Sequence, residues 1–473
     1  MPENDAVFDV AIVGAGFSGS MVAVHLARLA PESRVLLSDR KGAFGRGVAY
    51  GTEDLRHLLN VPAGKMSAFP DIPGHFAEWL EIRCAVFRSM GIESISPEDF
   101  APRRLYGTYI RDLLDEACRT TGRIEILRSQ IDDIEPRGDM LYVTAENGET
   151  FLARQIVLAL GNFPPGDPSL HDGTFHRSRR YLNDPWSPET LQRISDNDDI
   201  LILGSGLTAL DLLVSLDSIK ARGTIHVLSR RGLFPQPHRR CQPRPQWLAG
   251  QRFPLSARGL LRLVREEVKT AATQGIDWRA IIDALRPHTQ GIWKSLSLVE
   301  RKRFMRHIRP IWESYRHRAA PPVLTAKDAM FSSNRLVLHR GRVQRITKSN
   351  SGLRITFFNS STRREQILRV AYVINCTGPE CNYQKLKSPL VINLIARGLI
   401  HPDPLFLGIK ATSDGAVIGY LGRPSTQIFT LGSAAKGMLF ETTAVPELRL
   451  QAKDLAERLL RDRLRIGDQI FGA

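Results

Sequence analysis

The sequence predicts an α/β protein: two Rossmann-like dinucleotide-binding modules with β-meanders and a helical insertion. Three observations carry this. A short apolar strand runs into a glycine-rich turn at two places, Gly14-Ala-Gly16-Phe-Ser-Gly19 and Gly204-Ser-Gly206-Leu-Thr-Ala209. Each turn opens a segment with apolar residues at helical spacing, and a second short strand follows. Strand, helix and strand in alternation is the pattern of a parallel sheet with helices packed on its faces. The chain has 473 residues, and a single core stops growing near ~250–300, so more than one domain is required.

The first module opens with the strand Asp9–Val13. A helix follows from Phe17 to about Ala30, with Val22, Leu26 and Leu29 on one face, and Pro31 ends it. The second strand is Arg34–Leu37. Further on, segments 140–145 and 149–153 flank Asn147-Gly148, a strong two-residue hairpin signal. The module's last strand, Gln155–Leu160, stops at Gly161. The second module repeats the plan. Its strands are Asp199–Leu203 and Thr224–Leu228, and its meander is Val343–Ile346, Leu353–Phe358 and Ile367–Ile374. A mostly helical insertion spans about 250–320. The chain closes on an amphipathic helix over Val445–Leu460, with Val445, Leu448, Leu455 and Leu459 on its apolar face and Thr442 or Thr443 as its cap.

Gly14, Gly16 and Gly19 form a G-x-G-x-x-G turn. The first glycine makes the bend, the second lets backbone approach a pyrophosphate, and the third lets helix and strand pack closely. The helix N-terminus then offers free N–H groups and a favourable dipole to the phosphates. Asp39 lies 20 residues beyond Gly19, where a carboxylate accepts from a ribose hydroxyl. Phe17 and Ser18 within the turn, Arg40 after the acid and Gly161 join the candidate contacts. A first site so near the N-terminus is the usual FAD position in flavoproteins with two dinucleotide sites. In the second turn Ala209 replaces the third glycine, and the next strand ends in Ser229-Arg230-Arg231. An acid there would repel a 2′-phosphate, whereas arginine pairs with it. Gly204, Gly206, Thr208, Ala209, Arg230 and Arg231 are therefore candidate NADPH contacts, with NADH the lesser expectation. No set of metal ligands stands out, so no metal is expected.

Net charge is +16, and residues 252–318 hold 15 Lys/Arg against 6 Asp/Glu. Such a stretch could bind nucleic acid. No RNA- or DNA-binding motif accompanies it, so a solvated surface or an attraction for a polyanionic cofactor is the favoured reading. The five cysteines, Cys84, Cys118, Cys241, Cys376 and Cys381, are too few for a disulfide framework. Cys376 and Cys381 have a spacing used by some flavin disulfide reductases, but those place the pair near the first motif, so a redox pair is not expected. No apolar run reaches the ~20 residues of a membrane span, and the N-terminus lacks the regions of a signal peptide. The expected location is cytoplasmic.

Several further motifs carry a resemblance: Gly45–Gly51, Leu59–Ser67, His75–Leu80, Pro102–Gly107, Gly275–Trp278, Arg286–Thr289 and Phe440–Glu447. Together they resemble bacterial FAD/NAD(P)-binding proteins of the YdhS-like group, and more distantly the N-hydroxylating and Baeyer–Villiger flavin monooxygenases. The resemblance implies FAD at Gly14, Gly16, Gly19 and Asp39, and a nicotinamide cofactor at Gly204, Gly206 and Ala209. With the split repeat it implies a discontinuous FAD-binding domain, 1–165 and 365–473, around an NAD(P)H-binding domain at 190–350. There is one departure. Many such flavoproteins follow the last strand with Gly-Asp, whereas here Gly432 is followed by Ser433, a neutral and weaker partner for the ribityl chain. Asn60 is the first candidate for a catalytic contact. His57 and Lys65 lie in the same loop, where such residues are commonly solvated. The leading expectation is an FAD-dependent NAD(P)H oxidoreductase, a monooxygenase on a small metabolite using molecular oxygen. Two alternatives stay open: a reductase passing electrons to a protein or quinone, and a non-catalytic flavin-bound sensor with a basic binding face. Substrate and oligomeric state are not read from the sequence.

Overall fold

The computed structural model describes residues 6–471 apart from 41, 171–172, 249, 251 and 350. Two compact units emerge. The first comprises Met1–Glu53, Val61–Phe163 and Cys381–Ala473, and the second Asp54–Asn60 and Pro164–Glu380.

The first unit is built on an eight-stranded sheet. At its centre Ala6–Val13 lies parallel between Val35–Ser38 and Thr150–Leu158. Ile124–Leu127 extends one side, and Pro424–Thr430 extends the other. The expected strands at 149–153 and 155–160 are one continuous strand, Thr150–Leu158. Nothing in Ala153-Arg154-Gln155 breaks it, and it pairs antiparallel with Met140–Ala145 and parallel with Ala6–Val13. The hairpin turn is as expected: Gly148 takes φ +85°, and Ala145 N donates to Glu149 O at 2.9 Å. Central strands such as Val35–Ser38 are buried throughout, as parallel sheets covered on both faces require. The helices Phe17–Leu29, Arg103–Thr121 and Val445–Phe471 pack together, with the last helix burying Val445, Leu448, Leu455 and Leu459. Of the two threonines expected to cap it, Thr442 donates its Oγ1 to Gln451 Oε1 at 2.8 Å.

The second unit carries a seven-stranded sheet. Ile200–Leu203 sits between Ile225–Ser229 and Tyr372–Asn375, all parallel. Leu336–Ser349 then joins Ile225–Ser229 in parallel and turns into the antiparallel meander Gly352–Asn359 and Arg364–Val370. The strand expected at 367–374 therefore divides at Ala371, one half completing the meander and the other the parallel sheet. The second unit accordingly runs on to Glu380. The insertion is helical, with Ala257–Thr273, Trp278–Leu285 and Leu298–His307 capped by Ser256, Asp277 and Ser297. Trp247, Ala271, Ile281, Ala284 and Leu285 give it a core of its own.

Candidate functional site

The two glycine-rich turns fold alike. Gly14 and Gly204 both take φ +102°, a region that L side chains rarely adopt. Each is closed by a bond to its second strand, Gly14 N to Ser38 O and Gly204 N to Leu228 O, both 2.9 Å. Beneath each passes the end of a neighbouring parallel strand, Thr150–Leu158 in the first unit and Tyr372–Asn375 in the second. A Cβ on Gly14 would lie 2.3 Å from Ala159 O, and one on Gly204 would lie 2.3 Å from Cys376 O. Gly16 and Gly206 then start their helices without any side-chain cap. The first N–H groups of both helices are thus left to an outside acceptor, an arrangement suited to phosphate.

The turns differ in what surrounds them. At the first, a Cβ on Gly19 would lie 1.9 Å from Gly14 O, so only glycine fits. Ala209 occupies the matching place in the second turn and is fully buried, so there a methyl group is accommodated. Over the first turn crosses the segment Gly45–Gly47. Gly45 N donates to Ala15 O at 2.9 Å, and a Cβ on Gly47 would lie 3.1 Å from the Cα of Gly16. A Cβ on Gly45 would lie 2.7 Å from Arg111 N on the neighbouring helix. The glycines of the Gly45–Gly51 motif thus serve a close three-way packing. Over Gly206 nothing among the described residues lies within 4 Å of an added Cβ.

The strand ends differ as well. The Asp39 carboxylate accepts from Ala15 N at 3.4 Å and Ala43 N at 3.2 Å. In the second unit hydroxyls take that place. Ser205 Oγ lies 2.8 Å from Ser229 Oγ and 2.6 Å from Leu233 O, and Ser229 Oγ accepts from Gly232 N at 3.0 Å. Arg230 and Arg231 are exposed, as is Arg40 in the first unit.

Several residues singled out from the sequence do meet. Gly432, with φ +70°, approaches Ser18: an added Cβ would lie 3.1 Å from Ser18 Oγ. Ser433 Oγ donates to Gly161 O. Sequence reasoning missed Gln451, whose Oε1 accepts from both Gly432 N at 3.2 Å and Thr442 Oγ1. It lies on the final helix about one turn beyond the motif, and no local signal marks it. Phe17 turns its ring inward and stacks on Tyr106 at 6.1 Å, so what it presents at the turn is backbone. Phe440 holds φ 54° with ψ −72° while buried, a costly conformation for an aromatic residue just ahead of the final helix.

Asp54–Asn60 belongs to the second unit, although the chain on either side belongs to the first. His57 is not solvated as loop histidines commonly are. It is buried, with Nε2 2.8 Å from Ser215 Oγ and 3.1 Å from Asp211 O on the helix Leu207–Ser218. Burial works to raise the Asp54 pKa, but hydrogen bonds from Arg56 outweigh it and the carboxyl sits below its usual value. Asn60 is half-buried and Lys65 exposed. All five cysteines are free, and burial pushes the Cys376 thiol far up, away from thiolate reactivity. Among the described residues no cluster of His, Cys, Asp and Glu could hold a metal, and no helix is long and apolar enough to cross a membrane.

Residues 11–163 match the family model described as FAD-NAD(P)-binding. The whole chain is similar in fold to ornithine hydroxylase (PvdA) from Pseudomonas aeruginosa, with TM-score 0.66 and 16% identity over 97% of this chain and 100% of that one. It is also similar to the Kutzneria sp. 744 ornithine N-hydroxylase KtzI, in a form with reduced FAD, NADP+ and L-ornithine, at TM-score 0.65 and 14% identity, covering 97% and 100%. Thioredoxin reductase from Lactococcus lactis aligns over 97% of this chain and 99% of its own at TM-score 0.54 and 11% identity. At these identities the likeness is one of fold, and that fold serves more than one chemistry.

Proposed function

We propose that this protein is an NADPH-dependent flavin oxidoreductase, a monooxygenase acting on a small metabolite. The observation that carries the reading is the pair of matching phosphate-ready turns, one followed by an acid and the other by serine and two arginines. The first turn fits FAD: its uncapped helix receives the pyrophosphate and Asp39 a ribose hydroxyl. Gly161, Gly432, Ser433 and Ser18 gather on the same side of that unit to receive the rest of the cofactor. The second turn fits NADPH, with Arg230 and Arg231 paired to the 2′-phosphate. FAD supplies the hydride-accepting and oxygen-reacting chemistry when bound, so the chain's own task is to bind, orient and exclude water. The deeply protonated Cys376 speaks against a thiol relay as the onward route. The likeness to ornithine hydroxylases supports oxygen as acceptor and an amine-bearing metabolite as substrate. Asn60 is the residue we place nearest the reacting groups.

The test is a metabolite screen in which NADPH oxidation and oxygen uptake are followed together. The reading predicts at least one compound that raises both, with a hydroxylated product. Electron transfer to quinones or protein acceptors, with no oxygenated product from any compound, would replace it by the reductase alternative.

A further inference from the structure

Arginines from three parts of the second unit converge on the end of the strand Ile225–Ser229. Arg230 and Arg231 follow the strand directly. Leu336–Ser349 runs beside it with Arg340 opposite Ser229, and Arg342 follows two residues on, close enough for its charge to act on Arg230. The packing there is close: a Cβ on Gly232 would lie 3.2 Å from that of Arg340. The third part is the helix Arg309–Arg316 of the insertion, fastened to the loop that follows Arg231. Ser314 Oγ donates to Phe234 O at 2.6 Å, Gln236 N donates to Ser314 O at 2.9 Å, and Ala319 N donates to Gln236 O at 3.0 Å.

These cations feel one another. The Arg230 guanidinium is held below its ordinary pKa, first by partial burial and then by repulsion from Arg309 and Arg342, with Glu313 opposing. Arg309 Nε donates to Glu313 Oε1 at 2.7 Å, which steadies the side chain, and no contact of its two terminal nitrogens is seen among the described residues. Arg230, Arg231 and Arg342 have no hydrogen-bond or ion-pair partner among the described residues. Elsewhere in the insertion arginines are matched by acids: Arg279 by Asp277, Arg303 by Glu300 and Arg318 by Asp283. Among the described residues Glu313 is the one acid set against these arginines, so the cluster keeps a surplus of positive charge that an anion would balance.

We infer that Arg309, carried in by the helical insertion, completes a phosphate-reading cluster with Arg230 and Arg342, which makes the insertion a specificity element of the second nucleotide site. The inference rests on the proposed NADPH role of that site. The ligand class is a nucleotide bearing a phosphate monoester on its ribose. Such a group has three acceptor oxygens and close to two negative charges, which planar guanidinium forks match better than ammonium groups do.

Calorimetric titration of the FAD-loaded protein with 2′,5′-ADP, 5′-ADP and inorganic phosphate tests this without turnover. The wild type should bind 2′,5′-ADP at least tenfold more tightly than 5′-ADP, and inorganic phosphate more weakly than either. Arg309→Gln should lose about tenfold for 2′,5′-ADP and less than twofold for 5′-ADP. Arg345→Gln, an exposed arginine on the same strand, should change neither. Arg309→Lys guards against a folding defect: it should lose about threefold for 2′,5′-ADP alone, and wild-type affinity for both ligands would overturn the inference. Unchanged 2′,5′-ADP affinity in Arg309→Gln, beside a loss in Arg230→Gln, would remove the insertion from the site while leaving the NADPH reading standing. Equal loss of both ADPs would reduce Arg309 to a general attraction and overturn its specificity role. A wild type with no preference for 2′,5′-ADP would overturn the NADPH reading itself, and the inference with it.

Discussion

The two glycine-rich turns share a backbone and differ in their cover. Gly14 and Gly204 have the same φ, the same bond to the second strand and the same carbonyl beneath them. Over the first lies the Gly45–Gly47 segment, locked between the turn and a helix. Over the second there is open space. The difference teaches that one fingerprint can serve two kinds of tenancy. A covered turn favours a ligand bound once and kept, and an open one favours a ligand that comes and goes. On the proposed reading the fingerprint supplies phosphate affinity in both cases, and the surrounding chain sets the exchange rate.

The largest effect should separate the third positions. Gly19→Ala drives a methyl group into Gly14 O, and overpacking of that severity costs about 3 kcal/mol or more. The reverse change in the other turn, Ala209→Gly, costs only about 1 kcal/mol of helix propensity. Thermal unfolding of the two variants measures the contrast. Comparable losses would mean that the turns are equally tight.

Next in size is the strand-end exchange. Ser229→Asp gives the second turn the acid of the first. It should lower the preference for NADPH over NADH by tenfold or more, through repulsion of the 2′-phosphate. Specificity constants for both nucleotides test this, and an unchanged ratio would show that the strand end does not read the ribose.

Gly47→Ala should act more gently on the cover. Its Cβ would meet the Cα of Gly16 at 3.1 Å from a φ of +56°, a strain of roughly 1–2 kcal/mol. FAD should be released faster on dilution while NADPH binding stays the same. Equal effects on both would show that the cover is not local to the first turn.

The smallest effect concerns pH. In the second unit His339 is held near pKa 4 by burial and by His226, whose Nδ1 lies 3.1 Å from its Nε2. Its unfolded value is near ~6.5, so between those pH values the unfolded chain binds the extra proton. Stability contributed by the neutral pair is therefore present above pH ~6.5 and lost as pH falls toward 4. Allowing for solvent screening of these half-buried rings, the loss is about 1 kcal/mol. His339→Gln should flatten that part of the stability–pH curve, and an unaltered slope would assign the acid sensitivity elsewhere.

Much of this architecture was legible because glycine, proline and apolar spacing are local signals. The turns, their helices and the Asn147-Gly148 hairpin could be read directly from the chain. What could not be read depends on distant partners. The unbroken strand Thr150–Leu158 takes its continuity from neighbours on both sides. The division at Ala371 arises because the flanking residues join different parts of one sheet. His57 looked like a loop residue until Ser215, 158 positions away, met it at 2.8 Å. Gln451 had no pattern to announce it. The arginines of the insertion read as surface charge, yet Arg279, Arg303, Arg309 and Arg318 are each paired with an acid.

The account's central claim is that the first turn keeps its dinucleotide and the second exchanges it. The most direct measurement is a count of nucleotides on the purified protein before and after extensive dialysis, followed by anaerobic titration with NADPH. The account predicts one FAD per chain retained throughout, no nicotinamide nucleotide surviving dialysis, and bleaching of the flavin by stoichiometric NADPH. A protein that neither holds nor takes up FAD, or that keeps NADP(H) as firmly as FAD, would contradict it.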